Sequence, residues 1–296
     1  LSVFVPYFVR SLRARRLSGR TIDSYDRSCR LFIDWLILNG QPTEATKITR
    51  AIVESYIVEQ IEAHKPATAC ARYNALAQLF GWLAEEDIIL ESPMVKMRRP
   101  KVPIPVTRVL QPDDLKKLLA TAPAKSKDFL DVRDRCIILL FGDTGLRLSE
   151  LAGLKLTDVD RDTCRLQIVG KGDKTRTVAY GVTTATALDR YWLARSQQKY
   201  ADLDRLWITR QGYATTSAIY RVIANRARIA GLGEVHPHQL RHSWAHAELA
   251  SGASEGDVMA LGGWSNRKML ERYGHEQAAN RALAAYRRNG GPMDWL

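Results

Sequence analysis

Cysteine is scarce in this chain, and the four present (Cys29, Cys70, Cys136 and Cys164) form no Cys-x-x-Cys pair. That spacing excludes a zinc ribbon or a redox dithiol, so the four read as reduced core or surface thiols. Acidic residues are also in deficit, since 32 Asp and Glu face 44 Lys and Arg and leave a formal charge of +12. Such an excess points to a polyanionic partner, either nucleic acid or an acidic membrane surface. Long apolar runs are missing too. The apolar start, Leu1 to Val9, is interrupted by Pro6 and followed at once by Arg10. It is too short to span a bilayer and in the wrong order for a signal peptide, so no membrane partner and a cytoplasmic, nucleoid-associated location are expected. No internal repeat or low-complexity tract occurs, which argues against a solenoid. What is present is a 296-residue chain that is 46% hydrophobic, enough for a sizeable core and about two domains.

Proline marks the boundary between them. Five of the 11 prolines fall between Ser92 and Pro112, a density that opposes helix and favours an extended linker. That stretch carries Lys96, Arg98, Arg99 and Lys101 without an acid after Ser92, so it can lie along a phosphate backbone. The expected division is a helical domain over 1–91, a basic linker over 92–112 and a second domain over 113–296. In the first, apolar residues recur at helical spacing over about 2–17, 22–39, 48–63 and 67–86. Its first helix shows Arg10, Arg13 and Arg16, then Arg20, with no acid before Asp23, a pattern suited to a helix against DNA. In the second domain, helices are expected near 113–119, over about 128–142 and from Leu148. Runs of β-formers at 164–169 and 175–180 flank Gly170-Lys171-Gly172-Asp173-Lys174, a strand, turn, strand pattern. Beyond about 182 everything reads as helix except Leu206 to Thr209. The fold class is therefore mainly α with a small antiparallel β-sheet.

Three ligand sites fail on spacing. Asp158-Val159-Asp160-Arg161-Asp162 opens like a calcium loop, but Thr163 stands where Gly is needed and Val169 where a bidentate Glu is needed. His238, His242 and His246 share a helix face, yet Gln239 replaces the Glu of a zinc protease and Arg241 brings positive charge to the same side. The Gly170-Lys171-Gly172 turn lacks the upstream Gly and the Ser or Thr of a nucleotide-binding loop. No metal and no cofactor is expected.

The remaining chemistry suits a phosphodiester. Arg147, in Thr144-Gly145-Leu146-Arg147-Leu148-Ser149-Glu150, is placed in the first turn of a helix, where free amides and the dipole favour an anion. Lys171 sits at a hairpin tip. His238 and Arg241, three apart, meet one ligand from one helix face. Trp264 follows Gly262-Gly263, and Tyr273 precedes Gly274-His275. Taken in order, these positions resemble the tyrosine recombinase (phage integrase) family across its catalytic half, with Trp264 the rarer form of a position that is often His. Leu270 stands where that family often has Thr.

The resemblance implies a helical core-binding domain, a mixed catalytic domain and six catalytic positions, here Arg147, Lys171, His238, Arg241, Trp264 and Tyr273. It implies a 3′-phosphotyrosyl intermediate on Tyr273, double-stranded DNA with paired recognition sites, four protomers in the synapse, a Holliday junction and an accessory directionality factor. The chemistry is consistent with those roles. A phosphotyrosine stores the bond energy, so no ATP is needed. Two guanidiniums match the non-bridging oxygens of the transition state and take the place of a metal. Lys171 is suited to protonate the 5′ oxygen, Trp264 to brace the tyrosine segment, and Glu150 to orient Arg147. A type IB topoisomerase-like relaxase uses the same constellation, and a non-catalytic DNA-binding regulator could share the fold. At the chain end, Gly290-Gly291-Pro292 separates a short helical segment from apolar Met293, Trp295 and Leu296. That tip is expected to dock, on its own chain or on the next protomer.

Overall fold

Ser18 accepts the amide of Thr21 through its hydroxyl at 3.2 Å and so starts the second of four helices that lie before residue 90. The computed structural model describes residues 1–102, 108–170, 175–264, 283 and 286–288. The chain divides into two compact units, Leu1–Pro105 and Val106–Leu296.

The first unit holds α1 (Val5–Ala14), α2 (Gly19–Leu38), α3 (Arg50–Ala63) and α4 (Pro66–Glu85). The apolar period foresees all four, but α1 is shorter than expected. Arg16 turns into the left-handed region (φ +55°), which a helix cannot continue, and the Ser18 cap opens α2 just beyond it. Apolar faces of the four helices close on Phe8, Leu12, Phe32, Tyr56, Leu76 and Phe80. Phe32 is the hub, edge-on to Tyr56 at 5.0 Å and to Phe80 at 6.1 Å.

The proline-rich stretch is not an extended linker throughout. Met94 is buried in the first unit, and the Met97 carbonyl accepts from the Tyr73 hydroxyl at 2.8 Å. At the other end Leu110 is buried in the second unit, its amide donating to Ser243 Oγ at 2.7 Å. Local composition gave no sign of these long-range anchors.

In the second unit α5 (Pro112–Ala120) and α6 (Phe129–Thr144) lead to a short α7 (Leu148–Gly153). A three-stranded antiparallel sheet follows, of β1 (Val159–Asp160), β2 (Arg165–Val169) and β3 (Thr175–Ala179) in that order. The pairing of β2 with β3 was legible, although 171–174 between them lie outside the described residues; two-residue β1 carries too little pattern to be read. Register pairs Leu166 with Val178 and Ile168 with Arg176, so Leu166, Ile168 and Val178 face the core and Arg176 lies on their side.

Beyond α8 (Val182–Ser196) the expectation of nearly continuous helix fails. Residues 197–207 are not helical, and β4 (Ile208–Thr209) turns back as β5 (Gly212–Tyr213). Buried Arg195 explains how the irregular segment is held. Its guanidinium donates to the carbonyls of Ala201, Leu203, Arg205 and Leu206 at 2.7–3.0 Å, giving acceptors that no helix satisfies a partner. Three helices follow, α9 (Thr216–Ile229), α10 (Pro237–Ser251) and α11 (Glu255–Gly262). Arg226 on α9 bridges Asp131 (2.7 Å) and Asp134 (2.8 Å) on α6, and Trp207 donates its indole N–H to the Leu151 carbonyl at 2.8 Å, pinning α7. Among the described residues no helix is long and apolar enough to cross a membrane.

Candidate active site

The site is assembled where α6, α7, α10 and α11 end or begin. Gly145 closes α6 in the left-handed region (φ +54°), and a Cβ there would stand 2.0 Å from Trp244 Cε3. Only glycine suits both the dihedral and the contact with α10. The chain then enters α7 with Arg147 as its N-cap, just outside the first turn where the sequence placed it. Glu150, one turn on, accepts the Arg147 amide at 2.8 Å on Oε2 and Arg147 Nη1 at 2.7 Å on Oε1. One carboxylate thus caps the helix and orients the guanidinium.

On α10 the start is a capping box, with the Gln239 side chain accepting the His236 amide at 2.7 Å. His236 pairs through Nδ1 with the Tyr220 hydroxyl at 2.8 Å. His238 and Arg241 follow. Arg241 is only 4% exposed; Nη1 donates to the Gly145 carbonyl and Nη2 to the Gly262 carbonyl, both at 2.5 Å. Its guanidinium carbon lies 4.2 Å from the centre of a Trp264 ring, and Trp264 packs beside Trp244 at 6.0 Å.

The end of α11 joins these parts. The last carbonyls of a helix have no partner in the helix. Here Leu261 accepts from Arg176 Nε at 2.8 Å, Gly262 from Arg241, and Gly263 from Arg147 Nη2. Three guanidiniums from three elements converge on consecutive carbonyls, where the helix dipole also favours cations. Gly263 itself is left-handed (φ +66°) and leads directly into Trp264.

Arg176 is the participant that sequence reasoning missed. Its Nη1 and Nη2 meet Glu150 Oε1 and Oε2 at 2.9 and 2.7 Å, a parallel two-pronged pair. The available signal was the strand alternation, which puts a charge on the inward side of β3, where it must find a partner. Burial would push the Glu150 carboxyl up, but hydrogen bonds from Arg176 and Arg147 outweigh it and hold its pKa at about 2. His238 is pulled below its ordinary value, first by partial desolvation and then by the charges of Arg241 and Arg147.

Arg147, Glu150, His238, Arg241 and Trp264 are therefore brought to one place, whereas Lys171 and Tyr273 lie outside the described residues. Among the described residues no group of three His, Cys, Asp or Glu side chains is arranged to hold a metal. In the first unit Arg10 and Arg13 are exposed on α1, Arg16 just after it and Arg20 at the start of α2. Lys96, Arg98, Arg99 and Lys101 are also exposed, although Arg99 Nε is engaged by Cys70 Sγ at 2.8 Å.

Two guanidiniums, an imidazole and an indole gather around the ends of three helices, an arrangement whose positive charge suits an anionic substrate. Residues 108–280 match the phage integrase family, and the chain belongs to that family, the tyrosine recombinases that perform site-specific DNA recombination. It is 29% identical over 268 residues to tyrosine recombinase XerD of Listeria monocytogenes, spanning 88% of this chain and 89% of the relative. Tyrosine recombinase XerC of Corynebacterium efficiens is 30% identical over 246 residues, 82% of this chain and 78% of the relative. In fold it resembles the crystal structure of XerH site-specific recombinase bound to palindromic difH substrate, with a TM-score of 0.74 at 18% identity over 94% of this chain and 82% of that one.

Proposed function

We propose that this recombinase cleaves one DNA strand at a time by attack of the Tyr273 phenolate on a phosphodiester held by Arg147 and Arg241. The observation that supports this most is the lacing of both guanidiniums to adjacent carbonyls, Gly262 and Gly263, which presents two cations as one preorganised unit. In the step, the phenolic oxygen bonds to phosphorus, the bond to the 5′ oxygen breaks, and that oxygen takes a proton from Lys171. His238, neutral at neutral pH because its pKa is lowered, accepts the phenolic proton. Arg147 and Arg241 stabilise the charge gathering on the non-bridging oxygens, and Trp264 braces Arg241 from its ring face. The product is a 3′-phosphotyrosine and a free 5′ hydroxyl, and attack by the partner strand's 5′ hydroxyl reverses the same step. Because the phosphodiester bond energy is kept, no ATP is called for, and the two guanidiniums supply the charge stabilisation that a metal would otherwise give.

The same reading extends to double-stranded DNA with paired recognition sites, four protomers in a synapse that resolves a Holliday junction, a nucleoid location and an accessory protein that sets direction. The first-unit cations Arg10, Arg13, Arg16 and Arg20 and the linker cations Lys96, Arg98, Arg99 and Lys101 contact phosphates. A nicked suicide duplex tests the central claim: Tyr273→Phe binds it like the parent and forms no covalent adduct. An adduct that persists in that variant moves the nucleophile elsewhere.

A further inference from the structure

We propose that Arg176 is a positioning residue that holds the Arg147 guanidinium in register with the scissile phosphate, acting through Glu150 and the end of α11. The proposal rests on the role given to Arg147 under Proposed function. Arg176 cannot touch the phosphate while held this way. Its side chain is 13% exposed, and all three of its nitrogens are engaged inward, two on Glu150 and one on the Leu261 carbonyl. Arg147 by contrast is 38% exposed, with protons left to donate outward.

The two arginines share both of their anchors. Glu150 Oε1 accepts from Arg147 Nη1 and Arg176 Nη1 together, and Oε2 accepts from the Arg147 amide and Arg176 Nη2. Leu261 and Gly263, which receive Arg176 and Arg147, are two residues apart in one turn. Removing Arg176 takes from Glu150 the fork that fixes its plane, and from the α11 end one of its three cations. Each change frees the guanidinium that is to meet the transition state, where misplacement by about an ångström costs on the order of 10²-fold. Lysine can replace it only in part, since a single ammonium cannot grip both carboxylate oxygens and a carbonyl in one plane. The strand adds a second consequence. Thr175 and Arg176 come soon after Lys171 in the sequence, so the same fork ties β3, the strand that follows Lys171 in the chain, to the site.

The test uses the full chain and two suicide duplexes, one with a normal scissile phosphate and one with a methylphosphonate, whose methyl group removes the charge of one non-bridging oxygen. A guanidinium that neutralises that charge matters less on the second substrate. Arg176→Ala is expected to cleave the phosphate roughly 30-fold more slowly than the parent, with DNA affinity within about 3-fold, and to lose only about 3-fold on the methylphosphonate. Arg147→Ala is expected to show the same narrowing. Arg176→Lys, which keeps the charge and is less disruptive to folding, is expected to show the pattern at smaller amplitude with a parent-like melting temperature. Equal losses of Arg176→Lys on both substrates would mean that Arg176 merely supports the fold, and the proposal would fall. Equal losses of Arg147→Ala while the parent still forms its adduct would overturn the role of Arg147, and the Arg176 proposal with it.

Discussion

Trp244 lies flat against Gly145, so closely that a β-carbon on the glycine would come within 2.0 Å of the indole. That contact sets how near α10 approaches the turn between α6 and α7, and hence where Arg241 meets the Gly145 carbonyl. Gly145→Ala would combine a left-handed backbone with overpacking, so a loss of at least about 2 kcal/mol is expected. Urea melts of parent and variant would measure it. A loss below about 0.5 kcal/mol, the range of ordinary surface changes, would show that the packing relaxes without consequence.

Glu150 makes stability depend on acid. Its folded pKa is held at about 2 against an ordinary value of 4.5, so its contribution is complete above about pH 4.5 and drains away as pH falls toward 2. The size is about 3 kcal/mol from that difference. Glu150→Gln should therefore flatten the acid limb of a plot of melting temperature against pH. An unchanged limb would place the acid sensitivity in other carboxylates.

His238 predicts where cleavage fails in acid. Since its pKa lies below 6.5 in the free protein, the neutral form that accepts the phenolic proton persists below the usual histidine range. Cleavage at subsaturating DNA, which reports the free protein, should fall only beneath pH 6.5, and His238→Asn should lack that limb. A midpoint above 6.5 would contradict the effect of the neighbouring arginines.

Lys171 is tested by changing the leaving group. Lys171→Ala should cleave normal DNA slowly yet recover most of its rate when the 5′-bridging oxygen is sulfur, because a thiolate departs without a proton. Failure of that rescue would assign the proton to another donor.

Much of the arrangement was legible locally. The period of Phe32 and Leu36 in α2, the stop at Gly145 and the pairing of β2 with β3 all act through patterns within a few residues. Arg147, Glu150, His238 and Arg241 stood out because their types suit a phosphodiester and their spacings suit helix faces. Arg195 and Arg176 did not. Nothing in their sequence neighbourhood singles them out, and each is engaged with atoms of distant or irregular segments.

The sequence by itself determined most of the helices and the stop at Gly145, though not the irregular stretch at 197–207, and which side chains carry charge suited to phosphate, since these depend on neighbours in the chain. Only the tertiary structure decided that Arg147, Arg176 and Arg241 share the end of α11. Their carbonyl partners lie 116, 85 and 21 residues away, and no local preference encodes such distances. What brings them together is the packing of α10 on α6 and of α11 on β3, which sets three helix-end carbonyls within reach of three guanidiniums that satisfy them.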